Sequence, residues 1–323
     1  MNPAVSVVVP THRRADLLAR CLNALLAQDL DAGYEILVVD DALDEATRRL
    51  VTDLSRRAGP QNCCLRYLPN AGRSGPAASR NVGWRSARAP IVAFTDDDCV
   101  PQPGWLREGL AAFRDGVSAA AGHIVVPLGE RPTDYERNAA GLSGAVFVTA
   151  NCFCRRAALE QVGGFDERYE VAWREDSDLQ FAIEQRGLTI ARAGQAVVVH
   201  PVRPGTWGIS LHQQRKSMFN ALLYKKFPDR YRRQIQAAPP LRYYAILGTL
   251  ALSLCLVRRG GRAAVAPLLL WAALTGQFCA SRLRGTSRSP SHLAEMIVTS
   301  IAMPPLTIYW RLRGALKYRV VFF

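Results

Sequence analysis

The chain has 323 residues, 49% of them hydrophobic, and a net charge of +14. That is enough apolar material for one large domain with an appendage, and it excludes a disordered chain. The charge is uneven: residues 241–323 hold eleven basic residues against one acid, Glu295, which leaves +10 there and only +4 in the first 240. Such asymmetry argues against a nucleic-acid-binding body and for a basic, apolar tail near an anionic surface.

The first element is Val5-Ser6-Val7-Val8-Val9, short, continuous and β-branched, as a buried parallel strand requires. Pro10-Thr11-His12-Arg13 ends it. Leu17, Leu18, Cys21, Leu22, Leu25 and Leu26 then recur at helical spacing. Glu35 to Val39 is a second strand, ending in Asp40-Asp41. A basic helix over roughly Asp44 to Arg57 and a weaker strand over Cys64 to Leu68 complete a βαβαβ pattern. That pattern predicts a doubly wound, mostly parallel sheet, whose ligands sit at the carboxyl ends of its strands.

Asn70 to Asn81 is a glycine-rich loop that opens a helix, with Ser74 as a possible cap and Pro76 in the first turn. Free N–H groups at a helix start, with Arg73 and Arg80 nearby, suit a diphosphate. An ordinary capped helix accounts for the same residues. The spacing is neither Gly-x-Gly-x-x-Gly nor a Walker lysine pattern, so it supports neither a dinucleotide fingerprint nor a P-loop.

Ile91 to Phe94 runs through Thr95 into Asp96-Asp97-Asp98. Three adjacent carboxylates at a strand tip repel one another, and a divalent cation is the simplest remedy. If the segment stays extended, Asp96 and Asp98 face one side and Asp97 the other. Oxygen donors suit Mg2+ or Mn2+, which complete their shell with substrate phosphates. A solvated acidic turn is the plainer alternative.

These motifs, Pro10-Thr11-x-Arg13, Val38-Val39-Asp40-Asp41, Gly72 to Asn81 and Phe94 to Asp98, resemble those of the family 2 glycosyltransferases. The likeness continues through Asn151-Cys152, Gly163 to Glu167, Trp173 to Asp176 and His200-Pro201, so it covers about Val5 to Lys226. It implies a GT-A fold that binds a nucleoside diphosphate sugar. By that resemblance Pro10, Thr11 and Arg13 line the nucleotide pocket, and Asp40 or Asp41 bonds the base or ribose. Gly75, Arg80, Asn81, Asp96 and Asp97 belong to the nucleotide-sugar site. Asp96 and Asp98 take the ribose and the metal–diphosphate, and Asp176 is the catalytic base. A lone histidine at a strand end is more often structural than a ligand, but by the resemblance a histidine following this strand can complete the metal shell, which brings in His200. Arg73, Glu175 and Trp173 are secondary candidates.

The later residues, taken by themselves, read similarly. Ala145 to Ala150 is expected as a strand feeding Asn151, and Gly163-Gly164 ends a short helix over Arg156 to Val162. Glu175-Asp176-Ser177-Asp178 opens another helix, where acids can be plain caps. Ala196 to Val199 is a buried strand before His200. Trp173, Trp207 and His212 are each candidates to stack on a sugar or to fill a core. Processive synthases of the family carry Gln-x-x-Arg-Trp here, whereas this chain reads Gln213-Gln214-Arg215-Lys216-Ser217. Transfer of a single sugar is therefore expected.

From Leu241 the character changes. Leu241 to Val257, Ala263 to Ala280 and Leu293 to Trp310 are apolar and flanked by arginines, at or just below the length of a spanning helix. Basic clusters after all three oppose three spans by the positive-inside rule, and Pro304-Pro305 is expected to interrupt the third. Interfacial segments or a helical hairpin fit better; a soluble helical subdomain is the alternative. The cysteines contain no Cys-x-x-Cys pair and the N-terminus no secretory pattern, so reduced thiols in the cytosol are expected.

The expectation is a catalytic domain over residues 1–238 and a membrane-associating tail over 239–323. The catalytic domain would lie in the cytoplasm, attached to the inner face of the cell membrane. An inverting enzyme would move a sugar from a nucleoside diphosphate donor to a glycan or lipid-linked acceptor, assisted by Mn2+ or Mg2+ and without a nucleic-acid partner. A sugar nucleotidyltransferase and a catalytically inactive glycan-binding scaffold are the rivals.

Overall fold

The computed structural model describes residues 2–58, 62–258 and 261–322. In chain order the elements open with β1 (Val5–Thr11), α1 (Ala15–Leu26), β2 (Tyr34–Asp40), α2 (Glu45–Ala58) and β3 (Cys63–Pro69). They continue with α3 (Pro76–Arg85), β4 (Ile91–Phe94), β5 (Val100–Pro101), α4 (Trp105–Ala111) and β6 (Val117–Val125). Then come α5 (Asp134–Ala140), β7 (Cys152–Arg155), α6 (Arg156–Val162), α7 (Glu175–Gln185) and β8 (Thr189–Val199). The rest is helical: α8 (Ile209–Gln213), α9 (Met218–Lys226), α10 (Pro228–Gln234), α11 (Leu241–Val257), α12 (Val265–Arg282) and α13 (Pro290–Tyr318).

Two compact units result. The first comprises residues 1–127 and 140–202, the second residues 128–139 and 203–323. The division falls at Val202, well before the change of composition at Pro239-Pro240. The reason is packing: α9 lies so tightly on α13 that a Cβ at Gly314 would meet the Met218 carbonyl oxygen at 2.4 Å.

The first unit is built on a sheet of order β3-β2-β1-β4-β7-β6-β8-β5. β3, β2, β1 and β4 are parallel, as the βαβ pattern requires, and β7 runs antiparallel between β4 and β6. Val5, Val7, Val9, Ile36 and Val38 are buried in one core with Leu18, Leu22 and Leu25 of α1. Pro10, expected to end β1, lies inside it. The last β1–β4 pair is Val8 with Phe94, so at Pro10 the strand borders β2 alone, an edge position that tolerates a missing N–H. α3 is seated on β1 through Gly83, where a Cβ would come 2.3 Å from Val8 Cγ1.

The run Ala145–Ala150 forms turns rather than the expected strand, although Val148 and Ala150 are core residues. Asn151 holds this segment in place. Its Nδ2 donates to the carbonyls of His123 (2.8 Å) and Ala196 (2.9 Å), and Trp105 Nε1 donates to its Oδ1 (2.8 Å). These bonds satisfy backbone groups around a segment without a ladder.

In the second unit, Arg282 is almost fully buried. It donates to Asp134 Oδ2 (2.7 Å), Thr299 Oγ1 (2.7 Å) and Ser300 Oγ (3.1 Å). These bonds tie the 128–139 segment to α12 and α13. Pro304 and Pro305 do not interrupt α13, which runs for 29 residues. Beside the two prolines, Thr307 Oγ1 donates back to the Met303 carbonyl one turn earlier (2.9 Å).

Candidate active site

The candidate site lies in the first unit, at the carboxyl ends of β1, β2 and β4. β4 stops at Phe94, and residues 95–99 turn, with the Cys99 N–H donating to the Asp96 carbonyl at 3.1 Å. The alternation expected of an extended segment therefore does not apply. The three acids instead meet partners from other elements, with Arg14 shared by Asp97 and Asp98. Asp96 Oδ1 is 2.7 Å from Arg80 Nη2. Asp97, 1% exposed, accepts from Thr11 Oγ1 at 2.7 Å and pairs with Arg14 at 3.2 Å. Asp98 lies 3.6 Å from His200 Nε2 and 3.8 Å from Arg14. Burial pushes the Asp97 carboxyl up to about 6, against the pull of Arg14 and Thr11.

Arg14 is the residue that the motifs did not single out. Arg13 is exposed, with φ 52°, and it is the next side chain that reaches the acids. The only signal for it in the sequence is the pair of adjacent arginines after β1.

The expected metal residues separate into two groups. Donor atoms of Asp98, Cys99 and His200 lie within 4.8 Å of one another, whereas Asp96 is turned to Arg80. A carboxylate oxygen and an imidazole nitrogen 3.6 Å apart can bind adjacent positions of one ion. This mixed pair fits Mn2+ better than Mg2+, which prefers oxygen alone, and a soft thiol suits neither ion.

Asp40 and Asp41, expected to reach a base or ribose, are engaged with the protein. Asp40 is fully buried and accepts from the Ala42 N–H, the Asp44 N–H and Tyr67 Oη. Asp41 is the anchor of the glycine-rich loop. It accepts from Asn70 Nδ2 (2.7 Å), Ser74 Oγ (2.7 Å), the Gly75 N–H (3.0 Å) and Ser79 Oγ (3.1 Å). Ser74 is thus drawn to Asp41 and does not cap α3. Gly75 takes the cap position at φ 122°, and a Cβ there would press on the Glu170 carbonyl at 3.1 Å. Asn81 ties α3 to the loop after Gly164: its Nδ2 donates to the Phe165 carbonyl and to Glu167, and its Oδ1 accepts from the Phe165 N–H. Arg73 is exposed, 4.0 Å from Glu170.

Beyond Arg80 from Asp96, α7 begins with Glu175 and Asp176. Asp176 Oδ1 accepts from the Ser177 N–H (2.6 Å) and Oγ (3.2 Å), and burial raises its pKa from the ordinary aspartate range. Glu175 is buried at 3.0 Å from Arg80 Nη1, and burial pushes it up to about 7 although Arg80 pulls it down. The preceding Arg174 has φ 73°, a left-handed conformation, and its guanidinium stacks on Trp173 at 4.7 Å. Trp173 is half-buried beside the acids; Trp207 and His212 belong to the second unit. Arg80, expected beside a diphosphate, is instead a buried bridge between Asp96 and Glu175.

Comparison with known proteins gives the family and the fold. Residues 6–164 match the family described as glycosyl transferase family 2, and residues 91–312 match glycosyl transferase family group 2. The chain belongs to the family 2 glycosyltransferases. It is 27% identical over 217 residues to glycosyltransferase AglE of Haloferax volcanii, covering 62% of this chain and 68% of that one. It is 30% identical over 215 residues to the pre-mycofactocin glycosyltransferase of Mycobacterium tuberculosis, but spans only 43% of its length. Among solved structures, the mannosyltransferase PcManGT from Pyrobaculum calidifontis, in complex with GDP-Man and Mn2+, superposes with a TM-score of 0.56. That likeness covers 99% of this chain and 88% of the other at 21% identity, and it shows that the fold is GT-A.

Proposed function

We propose that the protein transfers one sugar from a nucleoside diphosphate sugar to an acceptor hydroxyl, with inversion at the anomeric carbon. The observation that carries this reading is the meeting of the acid turn with His200 on one side and, through Arg80, with the start of α7 on the other. Asp98 and His200 would hold a divalent cation, which when bound neutralises charge on the departing diphosphate. Thr11 and Arg14 hold Asp97 and fix the turn that presents Asp98. Asp176 takes the proton of the acceptor hydroxyl at its carboxylate. Burial raises its pKa above the ordinary aspartate range, which makes its carboxylate a stronger base than an exposed aspartate. A base and a leaving group on opposite sides of the sugar give one in-line displacement, hence inversion.

The second unit would hold the enzyme at a membrane. The stretches Arg262–Arg282 and Pro290–Tyr318 are long and apolar enough to cross one. Leu252, Leu254, Leu268, Leu269 and Leu270 are exposed on α11 and α12. Such a placement would suit a lipid-linked or surface-glycan acceptor at the inner face. The neighbour's complex with GDP-Man and Mn2+ makes GDP-mannose the first donor to test.

The decisive experiment is a thermal-shift panel of UDP, dTDP, GDP and CMP, each with and without Mn2+. One nucleotide should stabilise the fold in a cation-dependent way. Asp98→Ala should abolish that dependence. Equal nucleotide and Mn2+ binding by the variant and the wild type would remove Asp98 from the site.

A further inference from the structure

We propose that Arg80 is a positioning residue, whose guanidinium fixes the spacing between the donor-side Asp96 and the base-side Glu175-Asp176 pair. The inference rests on the transferase reading above. Arg80 is 1% exposed and among the largest fully buried side chains of the molecule. Its two terminal nitrogens are divided, Nη2 to Asp96 at 2.7 Å and Nη1 to Glu175 at 3.0 Å. A planar fork of this kind transmits direction as well as charge, which a lysine does not.

The fork itself stands on a fixed base. Gly75 and Ser79, at the start of α3, are bonded to Asp41, and Gly83, one turn after Arg80, is seated against Val8. Asn81 clamps both backbone groups of Phe165, and the Phe165 ring lies 5.8 Å from the Arg80 guanidinium carbon. Phe165 in turn meets Phe94, the last residue of β4, edge to face at 5.2 Å. The strand carrying the acids and the helix carrying the base therefore share one brace.

Stability alone is a poor reason for this arrangement. A buried charge network adds little over apolar packing. This one is also incompletely bonded: Arg80 Nε and Glu175 Oε2 are buried with no hydrogen-bond partner among the described residues. What the bridge supplies is a fixed geometry between the acid turn and the start of α7, on which in-line transfer would depend.

The test uses the full chain. Arg80→Lys keeps the charge but can serve only one acid well. We expect kcat to fall about 10²-fold, the cost of a small misplacement, with a much smaller change in donor affinity. Hydrogen exchange at the amides of residues 176–178 should quicken more than at amides elsewhere in the first unit, a local effect that a uniform loss of stability would not produce. Adding Arg80→Lys to Glu175→Gln should cost less than the two separate losses combined. Wild-type kcat with unchanged exchange would overturn the proposal, and so would a loss of donor affinity as large as the loss of kcat. If Arg80→Lys does not fold, Glu175→Gln alone must quicken exchange at residues 176–178 without weakening nucleotide binding; failure to do so overturns the bridge. Faster exchange in a protein whose wild type transfers no sugar supports the bridge and overturns the transferase reading.

Discussion

The two units use apolar residues in opposite ways. In the first, valines and leucines fill the space between sheet and helices, and among the described residues only Leu43, Val125 and Val146 are large hydrophobics left exposed. In the second, leucines of α11 and α12 face outward, while the buried positions include polar groups such as Arg282, Thr299 and Ser300. The first arrangement is that of a domain surrounded by water. The second is partly inverted, and outward leucines with interior polar bonds are what an apolar surrounding favours. Catalysis is thus proposed for one unit and placement at a membrane for the other.

Substitutions can separate those roles. The largest effect is expected at Asp176→Asn, which keeps shape but removes the base. Transfer should fall ~10²–10⁴-fold with little change in donor affinity or in vesicle binding. A product that retains the donor's anomeric configuration, read by NMR, would exclude the mechanism. Next comes the membrane face. The full chain should bind anionic vesicles and stay bound through a salt wash. Leu269→Ser with Leu270→Ser should weaken that binding ~10²-fold or more, since roughly 1.5–3 kcal/mol of burial is at stake per leucine. Vesicle binding that survives both changes, or that salt alone abolishes, would defeat the apolar contact.

A smaller pair of effects contrasts two close approaches. Gly83→Ala crowds Val8 in the first unit and Gly314→Ala crowds the Met218 backbone in the second. Each should cost about 1–3 kcal/mol. Limited proteolysis should show each unit loosening separately, with nucleotide binding weakened by Gly83→Ala alone. Identical proteolytic patterns would mean that the units unfold together. The smallest effect is in pH. Glu175 binds its proton more tightly in the folded state, so its contribution is full below about 4.5 and lost as pH rises through about 7. Melting temperatures across that window should decline with pH in the wild type, and Glu175→Gln should flatten part of the decline. An unchanged slope in the variant would show that Glu175 ionises normally.

Much of this was legible in the chain itself. The alternation of β-branched runs with helical spacing specified the parallel half of the sheet, because burial on both faces demands continuous apolar strands. The order of the motifs, with acids at strand ends, pointed to the family and to the region of the candidate site. Composition and charge also marked the apolar tail, and the acids of residues 175–178 marked the start of a helix.

What it did not contain was the pairing of side chains distant in sequence. That Arg14 rather than Arg13 reaches the acids, that Asp41 anchors a loop and that Arg80 joins Asp96 to Glu175 all depend on turns and close helix packing. The same holds for the division at Val202, set by how α9 meets α13 and not by composition. Composition and period are properties of neighbours along the chain. A buried charge takes whichever partner the fold brings within 3 or 4 Å, and only the tertiary structure decides that.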